Sequence, residues 1–228
     1  MVVLPRNEVR RTMTAPPLLE LQHSFPPLTP SAVPADEWAF LQELPEDYLA
    51  FLLAQNGGFT ESFRYTFQTG VPFKTDDVDT PSRDDAPIEF FGVPTVKSRA
   101  RYPRDLLQVA VDYAAEEFLP SNLIAIASCV QSSLVCIAVD GPDRGAIYYW
   151  DWYWQYPWCK QFFDQRISAV REKIPDYAAV VADTSHARYR EVADALNFAT
   201  VTRLADSMSQ WILSCQDVRT DDDEEARS

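Results

Sequence analysis

The chain has 228 residues, of which 46% are hydrophobic and include six Trp and thirteen Phe, so it can bury the core of one large domain, or of one domain with an elaboration. Its 34 acidic and 20 basic residues give a net charge of −14, which disfavours binding to nucleic acid, since affinity for phosphate groups comes mainly from Lys and Arg. No apolar run is long enough for a membrane helix or a secretory signal, and we therefore expect a cytoplasmic protein with no membrane partner.

The first 34 residues hold seven prolines and show little periodicity, which predicts an extended, partly ordered N-terminal arm over 1–34. The sequence leaves open whether this arm belongs to the fold, and Met13 is an alternative start. Beyond the arm, Pro45 and Glu46 begin a helix, because proline and acidic side chains favour the first helical turn. Asn56-Gly57-Gly58 ends this helix with residues that tolerate a left-handed backbone.

An acidic loop follows an alternating aromatic stretch that predicts a strand around Tyr65 and Phe67. The aspartates of the loop are Asp76, Asp77, Asp79, Asp84 and Asp85. The loop lacks the central glycine and terminal glutamate of an EF-hand, so metal binding is not expected. Two interpretations remain open, a solvated loop and a surface that contacts a partner.

The stretch 119–152 predicts three consecutive strands, over 123–130, 134–139 and 146–152, because apolar runs alternate with turn residues. Both faces of the first two strands are apolar, which predicts burial on both sides. In the third strand Asp151 interrupts the face opposite Trp150, which predicts that one side reaches solvent. Cys129 and Cys136 fall opposite each other if the turn centres on 132–133, but in a reducing cytoplasm we expect free thiols.

Aromatic residues share one predicted strand face and continue past it. They are Tyr148, Trp150, Trp152, Tyr153, Trp154, Tyr156 and Trp158. Such a stripe can pack in the core, anchor a protein partner, or stack on sugars or bases, and the sequence leaves these three interpretations open.

Helical spacing of apolar residues predicts further helices over 105–118, 162–174, 185–198 and 202–214. The acidic C-terminal tail over 215–228 is expected to be disordered, because it has almost no apolar residues to bury.

Five segments, in this order and spacing, resemble the SUKH superfamily, which includes fungal cell-wall assembly regulators and bacterial toxin-immunity proteins. The segments are LPEDYLAFLLAQNGG at 44–58, IEFFGV at 88–93, LPSNLIAIA at 119–127, LVCIAVDG with GAIYYWDW across 134–152, and LADSMSQWILS at 204–214. The resemblance implies an α+β domain over 35–214, with a single, mostly antiparallel sheet and helices packed on one side of it. It also implies binding to protein partners, and it supplies no catalytic residues. Residues 159–200 depart from the family's usual route and are expected to be a helical insertion.

Neither histidine, His23 or His186, lies in a nucleophile or metal motif, and no phosphate-binding loop occurs, so we expect a non-enzymatic protein with no cofactor and no metal. The leading hypothesis is an immunity protein that neutralises a basic toxin domain, such as a nuclease, by occlusion. The residues expected to contact that partner are Asp76, Asp77, Asp79, Asp84, Asp85, Trp152, Trp154 and Tyr156. The alternatives are a regulatory or scaffolding module of the cell-wall assembly regulator type, and a sugar-binding module.

Overall fold

The computed structural model describes residues 17–61, 63–74, 79–95, 103–116, 118–130 and 132–217. The helices of these residues are α1 (Ala35–Gln42), α2 (Glu46–Ala54), α3 (Leu106–Glu116), α4 (Pro157–Lys173), α5 (Tyr177–Val181), α6 (Tyr189–Phe198) and α7 (Met208–Ser214), and a 3-10 turn at Pro30–Ala32 precedes them. The strands are β1 (Gly58–Phe59), β2 (Tyr65–Gln68), β3 (Phe73–Lys74), β4 (Asp79–Thr80), β5 (Asp84–Asp85), β6 (Pro87–Phe90), β7 (Leu123–Cys129), β8 (Leu134–Ala138), β9 (Ile147–Trp150), β10 (Val201–Ala205) and β11 (Gln216–Asp217). Among the described residues, none of the helices combines the length and the apolar character that crossing a membrane requires.

A six-stranded antiparallel sheet lies at the centre of the fold. Its strand order is β1-β6-β7-β8-β9-β10, so the three predicted strands of 119–152 are its middle. Every residue of β8 is buried, and in β7 only Ile124 is partly exposed. The prediction that both faces of these two strands are covered is therefore confirmed.

The α+β class is confirmed, but a single sheet with helices on one side is wrong in both details. The described residues form two further sheets, one with the order β11-β2-β5 and the other a β3-β4 hairpin. On the large sheet, Tyr148 packs against Phe198 of α6. The next residue, Tyr149, contacts Phe67, and Phe67 contacts Trp211 of α7. Because successive residues of a strand point to opposite faces, α6 and α7 lie on opposite sides of the sheet.

The helix α2 begins and ends as the sequence predicts. Pro45 is its N-cap, and its buried face carries Tyr48, Phe51 and Leu52. The Phe51 ring lies 5.5 Å from that of Phe90 in β6, which seats the helix on the sheet. Gly57, just past the helix, has a φ of +69°, in the left-handed region that glycine adopts at low cost.

The predicted helix over 202–214 is wrong in its first half. Val201–Ala205 forms the edge strand β10, antiparallel to β9, and α7 begins only at Met208. Ser207 caps α7, since its hydroxyl accepts a hydrogen bond from Gln210 N at 3.2 Å. The β-branched Val201 and Thr202 favour a strand, and pairing with β9 outweighs the helical spacing of the apolar residues that follow.

The described part of the N-terminal arm packs into the fold, and residues 1–16 lie outside the described residues. Leu19, Phe25 and Leu28 are buried. Gln22 and Phe59 exchange two backbone hydrogen bonds of 2.8 Å, so the arm covers the outer edge of β1, which would otherwise expose unpaired backbone groups.

The segment 159–200, expected to be a helical insertion, holds most of α4 and all of α5 and α6. These helices connect β9 to its neighbour β10. In the predicted acidic tail, 216–217 form β11 and pair with β2, while 218–228 lie outside the described residues.

All four cysteines lie in the described part of the chain and are free thiols, as expected. The condition under which Cys129 and Cys136 would lie opposite each other is not met, because Cys136 lies opposite Ala125. The turn is centred before 132–133, since Cys129 N donates to Ser133 O at 2.8 Å and Ser128 lies opposite Leu134.

Gly57 lies against the backbone that follows β6, so we predict that Gly57→Ala is strongly destabilising. A Cβ atom there would be 2.7 Å from Gly92 Cα and 2.8 Å from the Phe90 carbonyl oxygen, in addition to the strain of a positive φ. Gly141 is the matched control, because its φ is +78° but the nearest atom would be 4.0 Å away. In urea denaturation, Gly57→Ala should lower the free energy of unfolding by at least about 2 kcal/mol more than Gly141→Ala. Equal losses in the two variants would contradict this packing argument.

Candidate functional site

An aromatic segment between β9 and α4 places large rings at the protein surface. Trp152 is 51% exposed and Tyr156 is 44% exposed, while Tyr153 and Trp158 are half-buried. The Tyr156 ring stacks on that of Trp158 with centroids 4.9 Å apart, and Tyr153 contacts both. Trp152 meets the buried Trp150 edge-on at 5.7 Å. We call Trp152, Tyr153, Tyr156 and Trp158 the aromatic surface.

Trp154 does not belong to the aromatic surface, although the sequence groups it with Trp152 and Tyr156. It is half-buried, and its ring lies 6.4 Å from that of Phe163 in α4. The strand β9 ends at Trp150 and tight turns follow it, so the two-residue alternation of a strand no longer decides which way a side chain points.

The β3-β4 hairpin lies beside the aromatic surface, across a groove of about 230 Å³. Trp158 and Pro157 line one side of this groove, and Lys74 and Asp79 line the other. The Asp79 side chain is exposed, with its carboxylate 3.8 Å from Lys74 Nζ. The structure thus brings one of the predicted acidic contacts next to the aromatic surface.

The other predicted acidic contacts differ in their surroundings. Asp76 and Asp77 lie outside the described residues. Asp84 is exposed on β5 and accepts a hydrogen bond from Gln68 Nε2. Asp85 is only 8% exposed and its oxygens are bonded inside the protein, so the expected surface contact with a partner does not fit this residue.

Asp85 belongs to a buried polar network that the sequence does not predict. Tyr149 OH donates a hydrogen bond to Asp85 Oδ2 at 2.7 Å, and Ala86 N donates to Oδ1 at 2.8 Å. Arg83 Nη2 donates to Tyr149 OH at 3.3 Å and forms an ion pair with Asp151. Burial raises the pKa of Asp85 above its usual range, although the hydrogen bond from Tyr149 acts in the opposite direction.

Asp151 is fully buried, so the prediction that its side of β9 reaches solvent is wrong. Besides the ion pair, its carboxylate accepts hydrogen bonds from Tyr153 N at 2.8 Å and from Cys159 Sγ at 3.6 Å. A charge inside an apolar alternation usually marks the solvent face, which is why the pattern misleads here. The usable signal is the position of Asp151 at a strand end, where an aspartate accepts a bond from the backbone two residues on.

Within the described part of the chain, His, Cys, Asp and Glu side chains form no group of three or more that could hold a metal ion. A second cavity, of about 300 Å³, lies between α3 and α6. The carboxylate of Asp194 lines this cavity. It accepts two hydrogen bonds from Ser121, one from the backbone N at 2.9 Å and one from the hydroxyl, and these bonds connect α6 to the loop before β7.

The comparison with known protein families gives a match over most of the fold. The sequence model of the SMI1 / KNR4 family (SUKH-1) matches residues 27–170 of the 228. This range contains the buried network and the aromatic surface. Curated proteins and solved structures give no match.

The raised pKa of Asp85 makes folding stability depend on pH. The folded protein binds the Asp85 proton more tightly than the unfolded chain, whose carboxyl has the ordinary pKa of 3.8, so stability falls as pH rises from 3.8 through the raised value. Asp85→Asn removes the charge but leaves one acceptor oxygen for two donors, Tyr149 OH and Ala86 N. The lost hydrogen bond costs the same at both pH values, whereas the effect of removing the charge depends on pH. We predict that the change in the free energy of unfolding caused by Asp85→Asn is about 0.5–2 kcal/mol more favourable at pH 7 than at pH 4.

Urea denaturation at pH 7 and pH 4 measures both effects. The exposed Asp84→Asn is the matched control and should change stability little at either pH. A change in stability of equal size at both pH values, or a less favourable change at pH 7 than at pH 4, would contradict the assignment of a raised pKa.

Proposed function

The chain belongs to the SMI1/KNR4 family (SUKH-1), and from this premise we propose that it is a non-enzymatic, protein-binding immunity protein. Its partner is a cognate toxin domain, and its mechanism is occlusion: bound to the toxin, it covers the surface that the toxin needs for its own substrate. The observation that carries this proposal is the aromatic surface, which exposes Trp152 and Tyr156 although the chain has a large core to receive them.

Exposed aromatic residues support protein binding for a physical reason. Trp and Tyr bury large areas at a low cost in side-chain entropy, and they are enriched among the residues that contribute most to binding energy. Here the stacking of Tyr156 on Trp158, and the contact of Trp152 with Trp150, fix the rings before a partner arrives. A preorganised surface loses less entropy on binding than a mobile one.

The charge of the protein supports a basic partner. A net charge of −14 attracts a cationic surface and accelerates its association. Toxins that act on nucleic acid hold phosphates with Lys and Arg, and Asp79 is an exposed acidic residue beside the aromatic surface that fits such side chains. Under this proposal, raising the salt concentration slows association more than it speeds release.

A growth assay tests the proposed function. Each reading frame that flanks the gene of this protein is expressed in a sensitive host, alone and together with the protein. We predict that one neighbour stops growth and that co-expression restores it. If every neighbour is harmless, the immunity role loses its support, and a regulatory module of the cell-wall assembly regulator type, tested by isolating host partners, takes its place.

Variants of the aromatic surface make the assay specific to this site. We predict that Trp152→Ala and Tyr156→Ala each weaken binding to the toxin by roughly thirtyfold, or about 2 kcal/mol, and reduce the rescue of growth. Phe63→Ala is the matched control, because Phe63 is an exposed aromatic residue, at 61%, that lies outside the aromatic surface. Equal affinities for Trp152→Ala, Tyr156→Ala and Phe63→Ala, measured by calorimetry, would show that the toxin binds elsewhere.

A further inference from the structure

Most of the aromatic surface lies in the turns between β9 and α4. Its position depends on contacts with the buried residues beneath it. We propose that the ion pair between Arg83 and Asp151 is a latch that holds the aromatic surface in place. The use of this latch in binding rests on the proposed function, whereas the latch itself is a property of the free protein.

One carboxylate joins both ends of the aromatic segment. Asp151 accepts hydrogen bonds from Tyr153 N, at the start of the segment, and from Cys159 Sγ, in the first turn of α4. The same carboxylate pairs with Arg83. Both ends of the segment are therefore hydrogen-bonded to one buried carboxylate, that of Asp151.

Backbone hydrogen bonds fix the position of Arg83, so Arg83 can serve as the immobile partner of the ion pair. Its backbone N donates to Val71 O at 3.2 Å, and its carbonyl accepts from Thr69 N at 3.0 Å. Its guanidinium donates to Tyr149 OH at 3.3 Å, a residue of the central strand β9. The ion pair thus ties the aromatic segment to a part of the fold that backbone hydrogen bonds already fix.

Loss of the Arg83 charge leaves Asp151 buried without this counterion, which is costly. β9 is hydrogen-bonded on both sides, to β8 and β10, and cannot move easily. The segment after it consists mainly of turns, and at its start Trp152 N donates to Ser133 Oγ at 3.2 Å. An unpaired Asp151 therefore reaches water by outward movement of the aromatic segment, with the rest of the fold unchanged.

Cys159 provides a measurement of this movement. Its thiol is buried, and burial together with the charge of Asp151 raises its pKa to about 12. Because the thiolate is the reactive form, a thiol with such a pKa is nearly inert. When the segment opens, the thiol reaches solvent, its pKa falls towards the ordinary value, and alkylation becomes fast. Cys129 and Cys136 in the central sheet remain covered unless the whole protein unfolds.

The experiment measures alkylation of each thiol by iodoacetamide at pH 8, with peptide mass spectrometry to assign the site. A Cys215→Ser background removes the half-buried fourth thiol. We predict that Arg83→Met accelerates alkylation of Cys159 at least tenfold and leaves Cys129 and Cys136 protected. Glu191→Gln, which breaks the exposed ion pair with Arg188, is the control and should leave all rates unchanged.

Two results would overturn the latch. One is an unchanged rate at Cys159 in Arg83→Met, and the other is an equal acceleration at all three thiols, which is the signature of global destabilisation. Asp151→Asn keeps the size of the side chain and the acceptor for Tyr153 N, but it removes a charge that raises the pKa of Cys159. Its readout is therefore amide hydrogen exchange over 152–158, which opening accelerates and a change in thiol pKa does not. If Arg83→Met does not fold, unchanged exchange over 152–158 in Asp151→Asn overturns the latch. Since no partner is present, a failed growth assay with a tenfold faster Cys159 would reject the proposed function alone, and growth rescue with an unchanged Cys159 would reject the latch alone.

Discussion

Buried charge is the constraint on which the rest of the structure depends. Asp85 and Asp151 are both buried, and one guanidinium, that of Arg83, faces them through Tyr149 OH and through a direct ion pair. Charges in a protein interior persist only when they are paired and hydrogen-bonded. Burial raises the pKa of Asp85, which favours its neutral form and leaves Arg83 to balance Asp151. This arrangement fixes three parts of the chain relative to one another: the end of β9, the strand β5, and the start of α4.

The aromatic surface follows from that interior. Asp151 ends the regular strand and holds the turn that carries Tyr153, while Cys159 of α4 binds the same carboxylate. Between these two fixed ends, Trp152 and Tyr156 face solvent. Exposed rings at fixed positions, on an acidic protein of the SMI1/KNR4 family, support the proposed binding to a basic protein partner. One short segment, 151–159, therefore contributes both to the buried network and to the proposed binding surface.

The sequence predicts those parts of the fold whose patterns are local and unambiguous. The strands β7 and β8 are predicted from their apolar runs, and the helix α2 from Pro45 before it and Gly57 after it. The order of the motifs indicates the family. Long-range pairing is not visible in this way: Val201–Ala205 is a strand because β9 lies beside it, although the following residues have helical spacing. The same holds for the site. Asp85 and Asp151 look like surface residues because charge usually marks the solvent face. Each is buried against a partner that is distant in sequence, Tyr149 for Asp85 and Arg83 for Asp151. The sequence cannot distinguish the exposed Trp152 from the half-buried Trp154, because a turn sets their orientations and strand alternation does not apply there.

The most direct test of this account is amide hydrogen exchange of the protein with and without the toxin recovered by growth rescue. Binding should slow exchange in 152–158 and in the β3-β4 hairpin, because the partner covers both sides of the groove between them. The amides of α7, which lies on the opposite face of the sheet from Trp150, should exchange at an unchanged rate. Protection confined to α3 and α6, with 152–158 unaffected, would contradict the claim that the aromatic surface is the binding site.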